Sequence, residues 1–304
     1  MRKSSIILST LLVASFWLML CSFKSTSDEE MLSGGLSTED LDILKQDVVN
    51  GQTGQISLPE CHAQIDVPEG LVYLDKAQAK NLLIDYWDNS ESVLDDLLGV
   101  LVPSENEFFY QICVAYVISY DNCGYIRDND AKSIDYDELL EQLKEDFKDD
   151  NKSLPEEHRC ELIGWAVPPH YDSVNHALVW ARTLAFQHGE TVNYDMRILG
   201  KDGYVSVNAV VDPDPETIDE VSVNESSMVK SIRFDKGYAY ADFDEKRDKI
   251  SDWTIGGLVA GSILAKSGLL AKIGVLLLKF WKIIAVGVVG IAACVKKIFS
   301  SKKS

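Results

Sequence analysis

The residues of this chain best suited to chemistry gather between positions 158 and 176: His158, His170, Tyr171, Asp172 and His176. Imidazoles and a carboxylate are the ligand set of zinc, and also the parts of a general acid–base pair. His170, Asp172 and His176 are therefore the candidate catalytic residues. Their spacing is not the His-Glu-x-x-His array that sets two imidazoles one helical turn apart. Pro168-Pro169 shapes a loop here, Asp172 fits as the cap of its turn, and the histidines suit surface or hydrogen-bonding roles. A second polar stretch carries Asp121, Asp128, Asp130, Asp135 and Asp137. A calcium loop needs oxygen ligands at alternate positions and a glycine at its bend, and Lys132 and Ser133 stand in those places. That stretch reads as a solvated loop, with Asp135 capping the helix that follows. Neither stretch implies a metal, and no cofactor is expected.

Of the six cysteines, Cys21 and Cys294 lie in apolar end segments, leaving Cys61, Cys113, Cys123 and Cys160 in the body. An exported location permits disulfides among these four in any of three pairings, and buried free thiols are an equal alternative. No Cys-x-x-Cys, no phosphate-binding Gly-x-x-x-x-Gly-Lys-Ser/Thr and no Gly-x-Ser-x-Gly elbow occurs. Trp165, Tyr171 and Trp180 resemble a ligand platform, but aromatics alternating along strands belong to a core.

The elements that must position these groups are mixed. Residues 62–73 read as a strand, a Pro-Glu-Gly turn and a second strand. Residues 74–87 read as a helix beginning at Asp75, and 108–120 as a buried strand. The run 135–148 is an amphipathic helix with Leu139, Leu140, Leu143 and Phe147 on one side. Strands follow at 161–167 and 177–186, then at 191–199 and 203–211 around Gly200-Lys201-Asp202-Gly203. A helix near 214–228 and a strand-like piece at 231–241 complete the series. Consecutive strands on short loops pair antiparallel. The expected fold class is α+β, a mostly antiparallel sheet with flanking helices, plus a C-terminal transmembrane helical pair.

Charge divides the chain sharply. The whole carries 29 basic and 48 acidic residues, a net charge of -19. All 48 acids lie in residues 25–252 beside 18 bases, so that stretch carries −30. Such a body excludes a nucleic-acid binder, which needs a basic footprint for phosphates. Residues 1–24 have a basic start and an apolar run, the pattern of an export signal or N-terminal anchor. Residues 253–295 are acid-free and apolar, interrupted by Lys266, Lys272, Lys279 and Lys282. A crossing takes about 20 residues, so this length accommodates two helices, at 254–271 and 274–295, although a single crossing better suits a basic tail in the cytoplasm. The resulting plan is an export segment 1–24, a flexible linker 25–55 with a short helix at 38–48, an acidic extracytoplasmic domain 56–252, membrane segments 253–295 and a basic tail 296–304.

Five stretches resemble a bacterial family of uncharacterised membrane-anchored proteins, domain of unknown function 2167: GYIRDNDAKSIDYDELL (124–140), GWAVPPHYDSVNHALVWA (164–181), NYDMRILGKDGYVSVNAV (193–210), YAYADFDEKRDKI (238–250) and KFWK (279–282). The resemblance implies an exported, membrane-anchored bacterial protein and supplies no catalytic residue. Lys201 stands where the family pattern tends towards arginine.

The expected function is that of a membrane-anchored envelope protein acting as a non-enzymatic interaction or assembly module. Its expected partners are the lipid bilayer and a protein of the envelope. The alternatives are a membrane-bound hydrolase or metal-dependent enzyme using the 158–176 cluster, and a sensor tuned by divalent cations.

Overall fold

The computed structural model describes residues 38–86, 89, 91–104, 115–152, 156, 159–187, 189–211 and 215–261. Its centre is a seven-stranded antiparallel sheet. The strands in chain order are β1 (Gln55–Leu58), β2 (Ala63–Asp66), β3 (Leu71–Asp75), β4 (Leu97–Pro103), β5 (Tyr116–Asp121), β6 (Tyr125–Arg127), β7 (Glu161–Asp172), β8 (Ala177–Phe186), β9 (Gly189–Leu199), β10 (Tyr204–Val211), β11 (Ile232–Phe234) and β12 (Ile250–Thr254). The large sheet runs β3-β4-β5-β10-β9-β8-β7, so β3 and β7 are its edges. A small sheet orders β1-β2-β11, and β12 pairs with β6 in parallel. The α+β class and the mostly antiparallel pairing expected from short loops are present.

Each helix has a local cause. Helix α1 (Thr38–Val49) buries Leu44 and Val48, one turn apart, against Val72 and Leu74 of β3. Helix α2 (Lys76–Lys80) begins in a capping box: Asp75 accepts from the Ala77 and Gln78 amides, and the Gln78 side chain accepts from the Asp75 amide. Helix α3 (Tyr136–Asn151) starts at Asp135, whose carboxylate accepts from the Asp137 and Glu138 amides. Leu139 and Leu143 then face the sheet. Helix α4 (Pro215–Ser231) lays Val221, Met228 and Val229 on the opposite face. Helix α5 (Ile255–Ala260) closes the described chain.

Two corrections to the sequence reading concern boundaries. The short helix expected at 38–48 is present as α1, but it belongs to the domain and not to a flexible linker: Leu44 and Val48 pack into the core and Gln52 exchanges backbone hydrogen bonds with Tyr73. The strand, Pro-Glu-Gly turn and second strand expected over 62–73 are present as β2 and β3, which join the small and the large sheet respectively. At the other end, the apolar stretch drawn from residue 253 does not begin at the domain surface. Ile255, Leu258 and Val259 are 0%, 5% and 0% exposed, in one cluster with Ile126, Leu139, Trp180 and Tyr204. The domain therefore runs to about residue 261. Among the described residues no helix is long and apolar enough to cross a membrane. The export segment and residues 262–304, where the expected helical pair falls, lie outside the described residues.

Candidate functional site

Pro168 and Pro169 lie within a strand and not in a loop, since β7 continues to Asp172. Proline lacks the ladder N–H, and β7 tolerates it as an edge strand broken by three register shifts against β8. The turn to β8 is instead Ser173–His176, with His176 in the left-handed region at φ 50°. Asp172 builds it, accepting from the Val174 and Asn175 amides at 2.8 and 3.2 Å and from the Asn175 side chain. That side-chain hydrogen bond leads the interactions that hold its carboxyl below the usual range.

Alternation along β7 then separates the candidates. His170 reaches α4, where its Nε2 lies 2.9 Å from Glu225 Oε1, and its Nδ1 lies 3.3 Å from the Pro168 carbonyl. Tyr194 of β9 donates to the other Glu225 oxygen at 2.7 Å. The Glu225 hydrogen bond raises the His170 pKa above its ordinary value. Burial pushes the Glu225 carboxyl up, but the hydrogen bonds from His170 and Tyr194 outweigh it and leave it below the normal value. Tyr171, the next residue, points the other way and donates to Asp128 at 3.0 Å. His176 joins that side: its Nδ1 is 3.3 Å from the Tyr171 hydroxyl and its ring stacks on Tyr240 at 4.2 Å. His170 and His176 thus serve different neighbourhoods, and His158 lies outside the described residues. Among the described residues no three His, Cys, Asp or Glu gather as a metal site.

The aspartate-rich stretch is equally occupied. Tyr204 donates to Asp121 at 3.4 Å, and Asp128 holds Tyr171. Asp130 accepts from the Ile255 and Gly256 amides at 3.3 and 3.1 Å, and Thr254 accepts from Gly257. One acid of the presumed loop is therefore a cap on α5, 125 residues away in sequence. Cys61, Cys123 and Cys160 are free thiols, each pushed up to about 12 by burial, while Cys113 lies outside the described residues.

The most concentrated buried polar group is one the sequence reading passed over. On one face of β8, β9 and β10, Asp195 is 0% exposed and binds two guanidinium groups, Arg182 at 3.0 Å and Arg197 at 2.9 Å. Asn208 donates to the same carboxylate at 3.1 Å, and Arg197 donates to Ser206 at 2.7 Å. The Arg197 guanidinium lies 5.2 Å from the Trp180 ring and 5.7 Å from that of Tyr204, the geometry of a cation–π contact. Trp180 Nε1, Arg182 Nε and Asn208 Oδ1 are buried with no hydrogen-bond partner. Alternation along NYDMRI (193–198) does not by itself say that its polar face is buried. The hairpin register sets Asp195 opposite Asn208 and Arg197 opposite Ser206. This arrangement locks three strands together, with every charged member already engaged.

Comparison with known proteins adds a family. The solution structure of cyanobacterial PsbP (CyanoP) from Synechocystis aligns with a TM-score of 0.36 and 7% identity, covering 60% of this chain and 91% of that one. The crystal structure of the Saccharomyces cerevisiae Ran-binding protein Mog1p aligns with a TM-score of 0.33 and 13% identity, covering 60% and 95%. Neither score is high enough to establish a shared fold. No curated protein matches the chain. The model of the family described as "Protein of unknown function (DUF2167)" matches residues 50–291, from just after α1 through the rest of the described domain into the apolar end, and the chain belongs to that family.

Proposed function

We propose that this is a membrane-anchored protein of the bacterial envelope whose acidic α+β domain is a non-enzymatic interaction or assembly module. The export-like start, the apolar C-terminal stretch and the −30 body support the placement. The observation that carries the non-enzymatic reading is the separation of the candidate residues. An acid–base or metal mechanism needs its groups around one reacting point. Here His170 pairs with Glu225, Asp172 caps a turn and His176 stacks on Tyr240. The partners are the lipid bilayer and an envelope protein, with no nucleic acid among them. A photo-crosslinker placed at Val174 or Ile163, both well exposed, tests the reading in growing cells. It should trap one defined protein, and recovery of nothing but abundant neighbours would defeat it.

A further inference from the structure

Among the described residues six buried side-chain atoms have no hydrogen-bond partner, and five of them belong to one layer of the fold. Trp180 Nε1 and Arg182 Nε stand on β8 and Asn208 Oδ1 on β10, while the Tyr136 hydroxyl and Asp146 Oδ2 stand on α3, which covers that face of the sheet. Strand register groups them. Trp180 lies opposite Asp195 and Asp195 opposite Asn208, so the three form one row across β8, β9 and β10. Strands about 4.8 Å apart set the ends of that row about 10 Å from each other. Arg182 follows Trp180 by two residues on the same face and reaches back to Asp195 at 3.0 Å. Above them, the Tyr136 carbonyl accepts at 3.2 Å from Trp165, the register partner of Arg182 on β7. Asp146 falls one turn after Leu143, on the stripe that faces the sheet. Trp180 and Asn208 are 1% and 5% exposed, so bulk solvent does not reach their polar atoms. We infer that this layer is a binding site for internal water, held around Asp195 by Trp180, Arg182 and Asn208 and by the α3 side chains above them.

The mixture of donors and acceptors selects the ligand. The indole and the guanidinium Nε only donate, the Asn208 oxygen and the Asp146 carboxylate accept, and the Tyr136 hydroxyl does either. The orientation of Asn208 is fixed by its neighbours. Its amide nitrogen donates to Asn193 Oδ1, the Tyr194 carbonyl and Asp195 Oδ1 at 3.0, 3.1 and 3.1 Å, and turning the amide over would set an oxygen against three acceptors. An anion would suit the two donors but meet the Asp195 and Asp146 carboxylates and the Asn208 oxygen. A metal cation would suit those oxygens but meet two guanidinium groups, and among the described residues no three His, Cys, Asp or Glu gather to hold one. Water serves both kinds of atom and brings no charge to a carboxylate that two guanidinium groups already bind. A buried polar atom left unpaired keeps the full cost of its lost hydration, and here five do so in one layer. At about three hydrogen bonds each, about two waters satisfy them.

Crystals of the full-length chain in detergent, grown with sodium bromide in place of chloride, provide the test. Data are collected at the bromine absorption edge and at a resolution that places ordered water. The expected result is water density within hydrogen-bond distance, about 2.7–3.2 Å, of Trp180 Nε1 or Arg182 Nε. The same water, or one bonded to it, should reach Asn208 Oδ1 or Asp146 Oδ2, and no anomalous bromide peak should appear in the layer. A bromide peak beside Trp180 or Arg182 would identify an anion site and overturn the inference. So would side chains repacked to pair these atoms with one another, or a layer with no density between α3 and the Trp180–Asp195–Asn208 row.

Discussion

Replacing Asp195 with asparagine keeps the volume of the side chain and removes only its charge. Two guanidinium groups, Arg182 at 3.0 Å and Arg197 at 2.9 Å, then share no carboxylate at a position that is 0% exposed. Breaking a buried ion pair from one side costs about 3–5 kcal/mol, because the remaining charge cannot recover its hydration. Arg182 is partly open to solvent at 14% side-chain exposure and softens the loss, so the lower end, about 3 kcal/mol, applies. For a domain of this size that corresponds to a fall of about 6–12 °C in Tm. The assay is thermal unfolding of the purified full-length chain followed by near-ultraviolet circular dichroism, which reports on Trp180 and Tyr204 beside Arg197. Adding Arg182→Met to Asp195→Asn removes one of the two stranded charges and should recover part of the loss, a coupling visible in a double-mutant cycle. A loss below about 1 kcal/mol for Asp195→Asn, or a double variant less stable than the single one, would refute the reasoning.

Three further outcomes follow from the same geometry. The His170–Glu225 bond raises the folded-state pKa of His170, so its stabilisation is complete below the ordinary value of 6.5 and is lost as pH rises through the folded-state value. With His170 half-exposed the effect stays below about 1 kcal/mol, and denaturant titrations should show this decline above pH 6.5 in the native chain and not in Glu225→Gln. Asp130→Ala removes the acceptor of two α5 amides and should cost about 1 kcal/mol, with hydrogen exchange accelerating at Ile255 and Gly256 first. The thiols of Cys61, Cys123 and Cys160, pushed up to about 12, should react at least about 10-fold slower with a disulfide reagent at pH 8 than a free cysteine, read peptide by peptide by mass spectrometry. Rapid modification of Cys61, the buried one of the three, in the native chain would contradict this reading.

What the sequence made legible was local chemistry. Asp135 and Asp75 declare their helices because a carboxylate followed by good helix formers satisfies orphan amides wherever it occurs. The β9–β10 hairpin declares itself through Gly200 and Gly203, and at Gly203 an added Cβ would lie 1.8 Å from the Asp121 carbonyl oxygen. Non-local pairings were not legible. Strand β4, LLGVLVP, is buried on both faces and so carries no alternation to distinguish it from a helix or an apolar loop. The candidate site failed for a related reason. His170, Asp172 and His176 are close in sequence, but a strand sends neighbours to opposite faces, and the partners that define them, Glu225, Asp128 and Tyr240, come from distant elements.

The same limit explains the misplaced start of the apolar end. A bilayer and a protein core select the same side chains, so Ile-Gly-Gly-Leu-Val-Ala scores alike whether it is bound for lipid or for Trp180 and Tyr204. What separates the two fates is the backbone. In lipid a helix must satisfy its own polar groups without a break, whereas a core helix can stop after six residues if other groups meet its ends. Thr254 before the run and Gly261 after it are the marks of a capped helix, and both are visible in the sequence. Asp130, which completes the N-terminal cap, is not, because nothing local links it to a strand-and-helix unit 125 residues later. Capping residues inside an apolar stretch therefore deserve weight equal to hydropathy when a soluble domain is divided from its anchor. In this chain they shift the end of the domain from 253 to about 261.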